Sequence, residues 1–324
     1  MRFESRWTQA TVRRTEDVAS NVRLIEIEPE TGAERFSVGS HLNVRVIVGD
    51  AQAERSYSLV GAEPVDGAYR IAVQQREDSR GGSRYMWTLQ PGARLAVSDP
   101  QNLFELRHGR PQYLLIAGGI GITPILGMAE TLDRRGADLR MLYAGRSRDR
   151  MPFLDQLRDR LGDRLEVFVS EEGDRIDLDA EVAALDAGAE LYLCGPQRLL
   201  EGARRAWDAA GRPAPDLRYE TFGSSGRFPA EEFEVELADR DVRLTVGVNQ
   251  TMLEALEAAG VPSMYDCRRG ECGLCALKVL EVDGELDHRD VFLSEEEKTQ
   301  GDRLCTCVSR IAGNRVTLDT GYRP

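Results

Sequence analysis

Five of the chain's six cysteines fall between residues 267 and 307, and three of them, Cys267, Cys272 and Cys275, follow the spacing C-x4-C-x2-C. Thiolates this dense suit iron–sulfur chemistry or zinc. Structural zinc sites usually draw on two separated C-x2-C pairs. Here three sulfurs crowd into nine residues and a fourth lies about thirty residues on, the arrangement of a plant-type [2Fe–2S] centre. Both Cys305 and Cys307 have the reach to be that fourth ligand. The alternative role for Cys305 is a small buried hydrophobe. Gly270 and Gly273 sit where a loop wrapping a cluster must turn through positive φ and aim N–H groups at sulfur.

Two further loops have the composition of ligand cradles. Gly118-Gly119-Ile120-Gly121-Ile122-Thr123-Pro124 separates the apolar run Tyr113-Leu114-Leu115-Ile116-Ala117 from a helical segment reaching about Arg135. Pro124 suits a first helical position and Thr123 its cap. The freed N–H groups of such a helix start can take a pyrophosphate. The loop lacks the full G-x-G-x-x-G spacing, and an ordinary strand-to-helix turn has the same composition. Cys194-Gly195-Pro196 leaves another strand at its carboxyl end, where open α/β sheets bind ligands. Gly195-Pro196 suits a backbone that a ligand approaches closely, whereas Cys194 also reads as a small core residue.

Arg55-Ser56-Tyr57-Ser58-Leu59 puts Arg55 and Tyr57 on one face of an extended strand. A guanidinium for a phosphate beside a ring for an isoalloxazine requires that arrangement. An exposed edge strand would account for Arg55 equally well. Downstream, Arg80-Gly81-Gly82-Ser83 offers a second phosphate cradle ahead of a helix.

Three scaffolds must hold these segments. Residues 1–107 alternate apolar and polar at period two in Val22-Arg23-Leu24-Ile25-Glu26-Ile27, Leu42-Asn43-Val44-Arg45-Val46 and Tyr69-Arg70-Ile71-Ala72-Val73, which predicts a small closed antiparallel β-barrel. Residues 108–226 alternate apolar strands, at Leu139 to Tyr143, Leu165 to Val169 and Leu191 to Leu193, with helical stretches, which predicts an α/β domain around a parallel sheet. Gly223-Ser224-Ser225-Gly226 reads as a flexible linker. Residues 227–324 predict a hairpin from Phe233 to Val246, a helix from Met252 to about Ala259, a capping box at Ser294 to Glu297 and a strand at Val316-Thr317-Leu318.

Composition bounds what the chain does. At 324 residues and a formal net charge of −13, it lacks the basic surface that sequence-independent nucleic-acid binding or docking on anionic lipid requires. Residues 227–324 hold 12 Lys and Arg against 20 Asp and Glu, so the last third carries most of the excess. The longest apolar stretch, Tyr113 to Ala129, is broken by Gly118, Gly119, Gly121 and Pro124 and does not read as a membrane span. No secretory signal is visible at the amino end. Clustered cysteines in such a chain read as metal ligands in a reducing cytoplasm.

In their order along the chain, these segments resemble the phthalate dioxygenase reductase-like (class IA) oxygenase reductases of the ferredoxin-NADP reductase superfamily. Glu220-Thr221-Phe222-Gly223 and Cys307-Val308-Ser309-Arg310 extend the match. The resemblance implies a flavin barrel, a nicotinamide domain and a β-grasp-like α+β ferredoxin domain. It implies that Arg55, Tyr57 and Ser58 hold the flavin, that the backbone of Ile71, Ala72 and Val73 lies near its ring, and that Gly81, Gly82 and Ser83 take its phosphate. FMN is implied over FAD. Gly119, Gly121 and Thr123 would bind the dinucleotide, Cys194 would approach the nicotinamide and Phe222 would cover the flavin. Cys307 becomes the fourth cluster ligand. NADH is the implied donor, although Arg146-Ser147-Arg148, after the second strand of the α/β domain, could supply charge to a 2′-phosphate and leaves NADPH open.

The expected chemistry is a relay without an acid–base triad. Nicotinamide gives up two electrons together, a [2Fe–2S] cluster accepts one, and flavin chemistry converts between them. His41, His108 and His288 form neither the Cys-x-His pairing of a Rieske centre nor a two-His-one-carboxylate iron site. Electrons are therefore expected to leave for another protein, a Rieske-type terminal oxygenase of aromatic catabolism. A cytochrome P450 or a general acceptor is the competing destination, and a zinc-knotted binding protein the reading from another class. His288, inside Asp287-His288-Arg289-Asp290, is expected to be a surface hydrogen-bonding residue. The protein is expected to be a monomer.

Overall fold

Alternating side chains build the first sheet. Its strands are β1 (Trp7–Ala19), β2 (Val22–Pro29), β3 (Ser40–Val48), β4 (Ala51–Ser58), β5 (Tyr69–Gln74), β6 (Arg94–Ser98) and the short β7 (Gln101–Asn102), with helix α1 (Gly82–Thr88) between β5 and β6. They pair antiparallel in the order β4-β3-β6-β1-β2-β5, with β7 on β3. The chain just past β4 closes this sheet into a barrel. Leu59 bridges Ile71 on β5, and the Val60 N–H donates to the Arg70 carbonyl at 2.8 Å. Ile25, Ile27, Leu42, Val44, Ile71 and Val97 point inward and are fully buried. The computed structural model describes residues 6–49, 51–75, 81–222 and 226–321.

A parallel sheet follows, of β8 (Tyr113–Gly118), β9 (Leu139–Gly145), β10 (Leu165–Val169), β11 (Glu190–Cys194) and β12 (Leu217–Glu220). Helices α2 (Ile122–Arg134), α3 (Leu154–Leu161), α4 (Leu178–Ala183) and α5 (Gln197–Ala209) make the connections. All six residues of β8 are buried, which a strand covered on both faces requires. The order β10-β9-β8-β11-β12 reverses direction between β8 and β11, so the crevice at their carboxyl ends is the topological switch point.

Barrel and parallel sheet share one core, in which Val22, Val60, Ala72 and Phe104 pack with Ile125, Met128 and Tyr143. At the amino end of β11, the wholly buried Glu190 carboxylate accepts from the Tyr192 hydroxyl at 2.7 Å and pairs with Arg107 (3.3 Å) and Arg110 (3.0 Å). The segment leaving the barrel is thereby clamped to β11.

The chain divides into two compact units, Met1–Glu220 and Thr221–Pro324. The second unit has a mixed sheet of β13 (Phe233–Leu237), β14 (Val242–Val246), β15 (Ala276–Asp287), β16 (Arg303–Cys305) and β17 (Arg310–Asp319), ordered β14-β13-β17-β15-β16. β13 and β17 run parallel, and the other pairs are antiparallel. Helix α6 (Met252–Ala258) places Met252 and Leu256 in the core with Phe233, Val235 and Val316. Helix α7 (Glu295–Gln300) starts at a capping box of Ser294 and Glu297. No helix of the described residues is long and apolar enough to cross a membrane.

A second capping box starts α6, where the Thr251 hydroxyl accepts from the Glu254 N–H at 3.1 Å and the Glu254 carboxylate accepts from the Thr251 N–H at 2.8 Å. Thr251→Ala removes one of these two bonds. It is expected to lower the unfolding free energy of the second unit by about 1 kcal/mol, read from the midpoint of a urea titration.

Candidate functional site

Glycines let two backbones meet at the switch point. A β-carbon on Gly118 would stand 2.5 Å from Pro196 Cδ, one on Gly195 would stand 3.1 Å from Gly118 Cα, and one on Gly121 would collide with the Cys194 carbonyl. Gly119 differs. Its φ is 56° and nothing lies within 4 Å of where its β-carbon would be, so this glycine faces open space that a ligand can enter. Thr123 is buried, and its hydroxyl donates to the Ile120 carbonyl at 3.0 Å. The tight turn Gly119–Gly121 runs straight into α2, whose cap is Gly121. The cap expected at Thr123 therefore lies two residues too late.

Ser58, at the end of β4, donates from Oγ to Glu220 Oε2 at 3.2 Å, and both residues are buried. Glu220 ends β12 in register with Cys194 on β11. Ser58, Cys194 and Glu220 thus gather at the carboxyl edge of the parallel sheet. Along β4, Ala53, Arg55 and Tyr57 form the half-buried face, while Ser56 on the other face donates to Asn43 at 2.7 Å. The Arg55 stem rests on Gly82, where a β-carbon would stand 2.9 Å from Arg55 Cγ, and this joins Arg55 to the start of α1. Gly81 has a φ of 97° and packs on Val48, and Ser83 lies in the first turn of α1. Burial pushes the Tyr57 phenol well above its ordinary range, against the opposing charge of Arg55, so the ring stays neutral. Ile71, Ala72 and Val73 are all buried on β5, and the Val73 carbonyl accepts from the Trp87 indole at 3.0 Å. Arg80 and Gly223 lie outside the described residues.

In the second unit, three backbone N–H groups, of Arg269, Glu271 and Cys272, each reach Cys267 Sγ at 3.4 Å. Burial raises the Cys267 thiol, and these donors oppose the rise. The Cys305 and Cys307 thiols donate toward Cys275 and hold it far below the ordinary cysteine range. The same bonds, with burial, push Cys305 and Cys307 up. Cys307 also feels the charge of Cys267 and receives the Gly270 N–H, whereas Cys305 faces the buried Asp290 carboxylate. Gly270 has a φ of 75° and a β-carbon there would stand 2.6 Å from Val308 Cγ2; one on Gly273 would collide with the Phe292 ring. Among the described residues, no three His, Cys, Asp or Glu side chains converge to hold a single metal ion. The sulfurs associate instead as Cys267 with Cys272 and Cys275 with Cys305 and Cys307. A [2Fe–2S] cluster takes two thiolates for each of two irons, so the first pair and two sulfurs of the trio suffice, and inward N–H groups are what such a cluster takes from its loop.

Residues 235–312 match the family described as the 2Fe-2S iron-sulfur cluster binding domain. The chain is 41% identical over 286 residues to the heme-dependent oxidative N-demethylase beta subunit of Ectopseudomonas mendocina, covering 88% of this chain and 89% of that one. It is 34% identical over 286 residues to the carnitine monooxygenase reductase subunit of Acinetobacter pittii, covering 88% and 92%. The solved structure of phthalate dioxygenase reductase, described as modular for electron transfer from pyridine nucleotides to [2Fe–2S], superposes with a TM-score of 0.78 at 29% identity, over 97% of this chain and 98% of that one. The chain belongs to the phthalate dioxygenase reductase-like family of oxygenase reductases.

As an oxygenase reductase of this family, the chain is an oxidoreductase with flavin and [2Fe–2S] electron transfer. Its expected site residues lie on both units. Thr221 N–H and Oγ1 donate to Glu271 Oε1 at 2.7 and 3.0 Å, fixing the residue before Phe222 to the cysteine loop, and Phe222 itself is 37% exposed. Arg146, expected at the dinucleotide, is paired with Glu171 at 2.8 Å.

His288 departs from expectation. Its side chain is only 9% exposed and lies 3.7 Å from the buried Asp290, and neither ring nitrogen makes a hydrogen bond. The strand β15 carries the chain inward there, because Asp287 must reach Arg289 and the Arg227 N–H. Glu220 enters the sequence reading only as the first residue of a matching segment, with no role of its own. An isolated Glu at the end of a strand has no spacing to mark it, and its partner Ser58 is 162 positions away.

Gly121→Ala is expected to destabilise the first unit by about 2 kcal/mol, because the collision is with backbone that cannot move aside. Gly119→Ala is expected to cost about 1 kcal/mol for its positive φ alone. Thermal unfolding of the two variants orders them.

Proposed function

We propose that this chain oxidises NADH and passes single electrons to a terminal oxygenase of the Rieske type. The observation that carries the reading is the sulfur cage, in which three backbone N–H groups converge on Cys267 and the buried Cys275, Cys305 and Cys307 pack together. Cys267, Cys272, Cys275 and Cys307 would hold the cluster. Cys307 is preferred to Cys305 because Cys305 is wholly buried at the end of β16, where its backbone pairs with Ala276, whereas Cys307 lies in the turn beyond that strand.

Arg55 and the α1 start would hold the flavin phosphate, with Tyr57 and the β5 backbone beside the ring. FMN is proposed over FAD. When bound, the flavin supplies the exchange between paired and single electrons. This chain's own work there is to exclude water and fix orientation. Ser58 and Glu220 form a buried polar pair that aligns β4 with the switch point; Gly119, with open space on its side-chain face, would admit the pyrophosphate, and the wholly buried Cys194 beside that loop would lie under the nicotinamide. Domain limits of 1–107, 108–226 and 227–324 follow from these roles.

Met264, Leu274 and Phe292 are exposed apolar residues on and beside the cysteine loop, with Met264 at 74%. With the acidic excess of this unit, they suit an oxygenase face with an apolar centre and a basic rim. The N-demethylase relative is described as heme-dependent, which favours a heme protein as the second reading of the acceptor. A cytoplasmic monomer completes the proposal.

Cys272→Ser is expected to abolish NADH-driven reduction of cytochrome c while ferricyanide reduction stays within about threefold of wild type, measured side by side at steady state. Equal loss of both activities would contradict the proposed order. Iron content of reconstituted protein separates the fourth-ligand candidates: Cys307→Ser is expected to lose the cluster and Cys305→Ser to keep it.

A further inference from the structure

The carboxyl end of the second strand in a nucleotide-binding sheet is where the adenosine ribose is read. An acidic group there takes the 2′-hydroxyl, and an Arg there accommodates a 2′-phosphate. In chain order β9 is that strand, and Arg146-Ser147-Arg148 follows it directly. By sequence this tripeptide invites a phosphate, but each of its three donors already faces a carboxylate. Arg146 Nε donates to Glu171 Oε1 at 2.8 Å. Ser147 Oγ donates to Asp149 Oδ1 at 2.6 Å. Arg148 donates from Nε and Nη2 to the two oxygens of Glu172 at 2.9 and 2.7 Å, a bidentate pair.

The backbone fixes this arrangement. The Glu171 N–H donates to the Arg146 carbonyl at 3.1 Å, so the turn after β10 is tied to the turn after β9. The remaining charges of these two turns add no cation in excess. Arg150 and Arg175 are balanced by Asp149 and Asp174, and Arg175 already donates to the Ser170 and Asp174 carbonyls.

We infer that Glu171 and Glu172 are specificity-determining residues that occupy Arg146 and Arg148 and so select the dinucleotide lacking a 2′-phosphate. A 2′-phosphate entering here must displace two carboxylates and then remain beside them, which like charge opposes. A 2′-hydroxyl meets no such cost and can donate to the same carboxylates. Both pairs are largely exposed, with side-chain exposures of 69% and 53% in one and 47% and 48% in the other. Such pairs contribute little to folding, so they can be removed without unfolding the unit.

The inference rests on the nicotinamide-dependent reading above. Its test is titration calorimetry with adenosine 2′,5′-bisphosphate and with AMP, on the full chain and on the double variant Glu171→Gln, Glu172→Gln. Wild type is expected to bind the bisphosphate no tighter than AMP. The variant is expected to shift the affinity ratio toward the bisphosphate by about tenfold or more, with the NADPH/NADH ratio of kcat/KM moving the same way. Adding Arg146→Gln and Arg148→Gln to the variant is expected to cancel the gain. A smaller shift, or a wild type that already prefers the bisphosphate, overturns the assignment. A wild type that binds neither nucleotide and oxidises neither dinucleotide would instead contradict the nicotinamide reading itself.

Discussion

One buried hydrogen bond, from Ser58 to Glu220, sets the geometry of the first unit's working edge. A carboxylate without water is costly unless its oxygens are matched, so the end of β12 and the end of β4 must be held together wherever this pair is buried. That requirement fixes β4 against the switch point. Cys194 lies in register beside Glu220, and the glycines of the neighbouring loops can then be spent on backbone contact. Gly118, Gly121 and Gly195 serve packing, and only Gly119 of that group faces open space. The shared core beneath, with Val60 and Ala72 against Ile125 and Met128, keeps barrel and sheet from shifting past one another.

The second unit solves a different problem, which is to bury sulfur that must carry charge. Cysteine thiols in apolar surroundings resist ionisation. Here Arg269, Glu271 and Cys272 supply N–H donors to one sulfur, and Gly270 supplies one to another. The positive φ of Gly270 and Gly273 lets so short a loop turn its amides inward, and the missing β-carbons avoid collision with Val308 and Phe292. The neighbouring capping boxes and the Thr306 bonds to the Cys275 carbonyl hold the frame around that loop.

Much of this was legible in the sequence because it depends on local patterns. The β13–β14 hairpin, the Ser294 capping box and the β8 apolar run lie where periodicity and turn residues put them. What was hidden depends on pairing over distance. β1 and β15 are long strands whose many charged residues face solvent, so neither shows a strong apolar alternation. The cap of α2 moved because a 3-10 turn precedes it, which composition does not reveal. His288 sits in a charged tetrapeptide that looks solvated, yet Asp287 and Asp290 are both buried by partners elsewhere in the chain. Arg146 and Arg148 looked available to a phosphate because the glutamates that engage them lie about 25 residues on.

The central claim is that one chain accepts electrons in pairs and releases them singly through its own cluster. Anaerobic titration with NADH, followed in the visible spectrum and by paramagnetic resonance, tests it most directly. Two electrons for the flavin and one for the cluster predict full bleaching at about 1.5 equivalents of NADH per chain, with a paramagnetic reduced cluster at the end point. An end point at about one equivalent with no cluster signal, or metal analysis that finds zinc and no iron, would contradict the account.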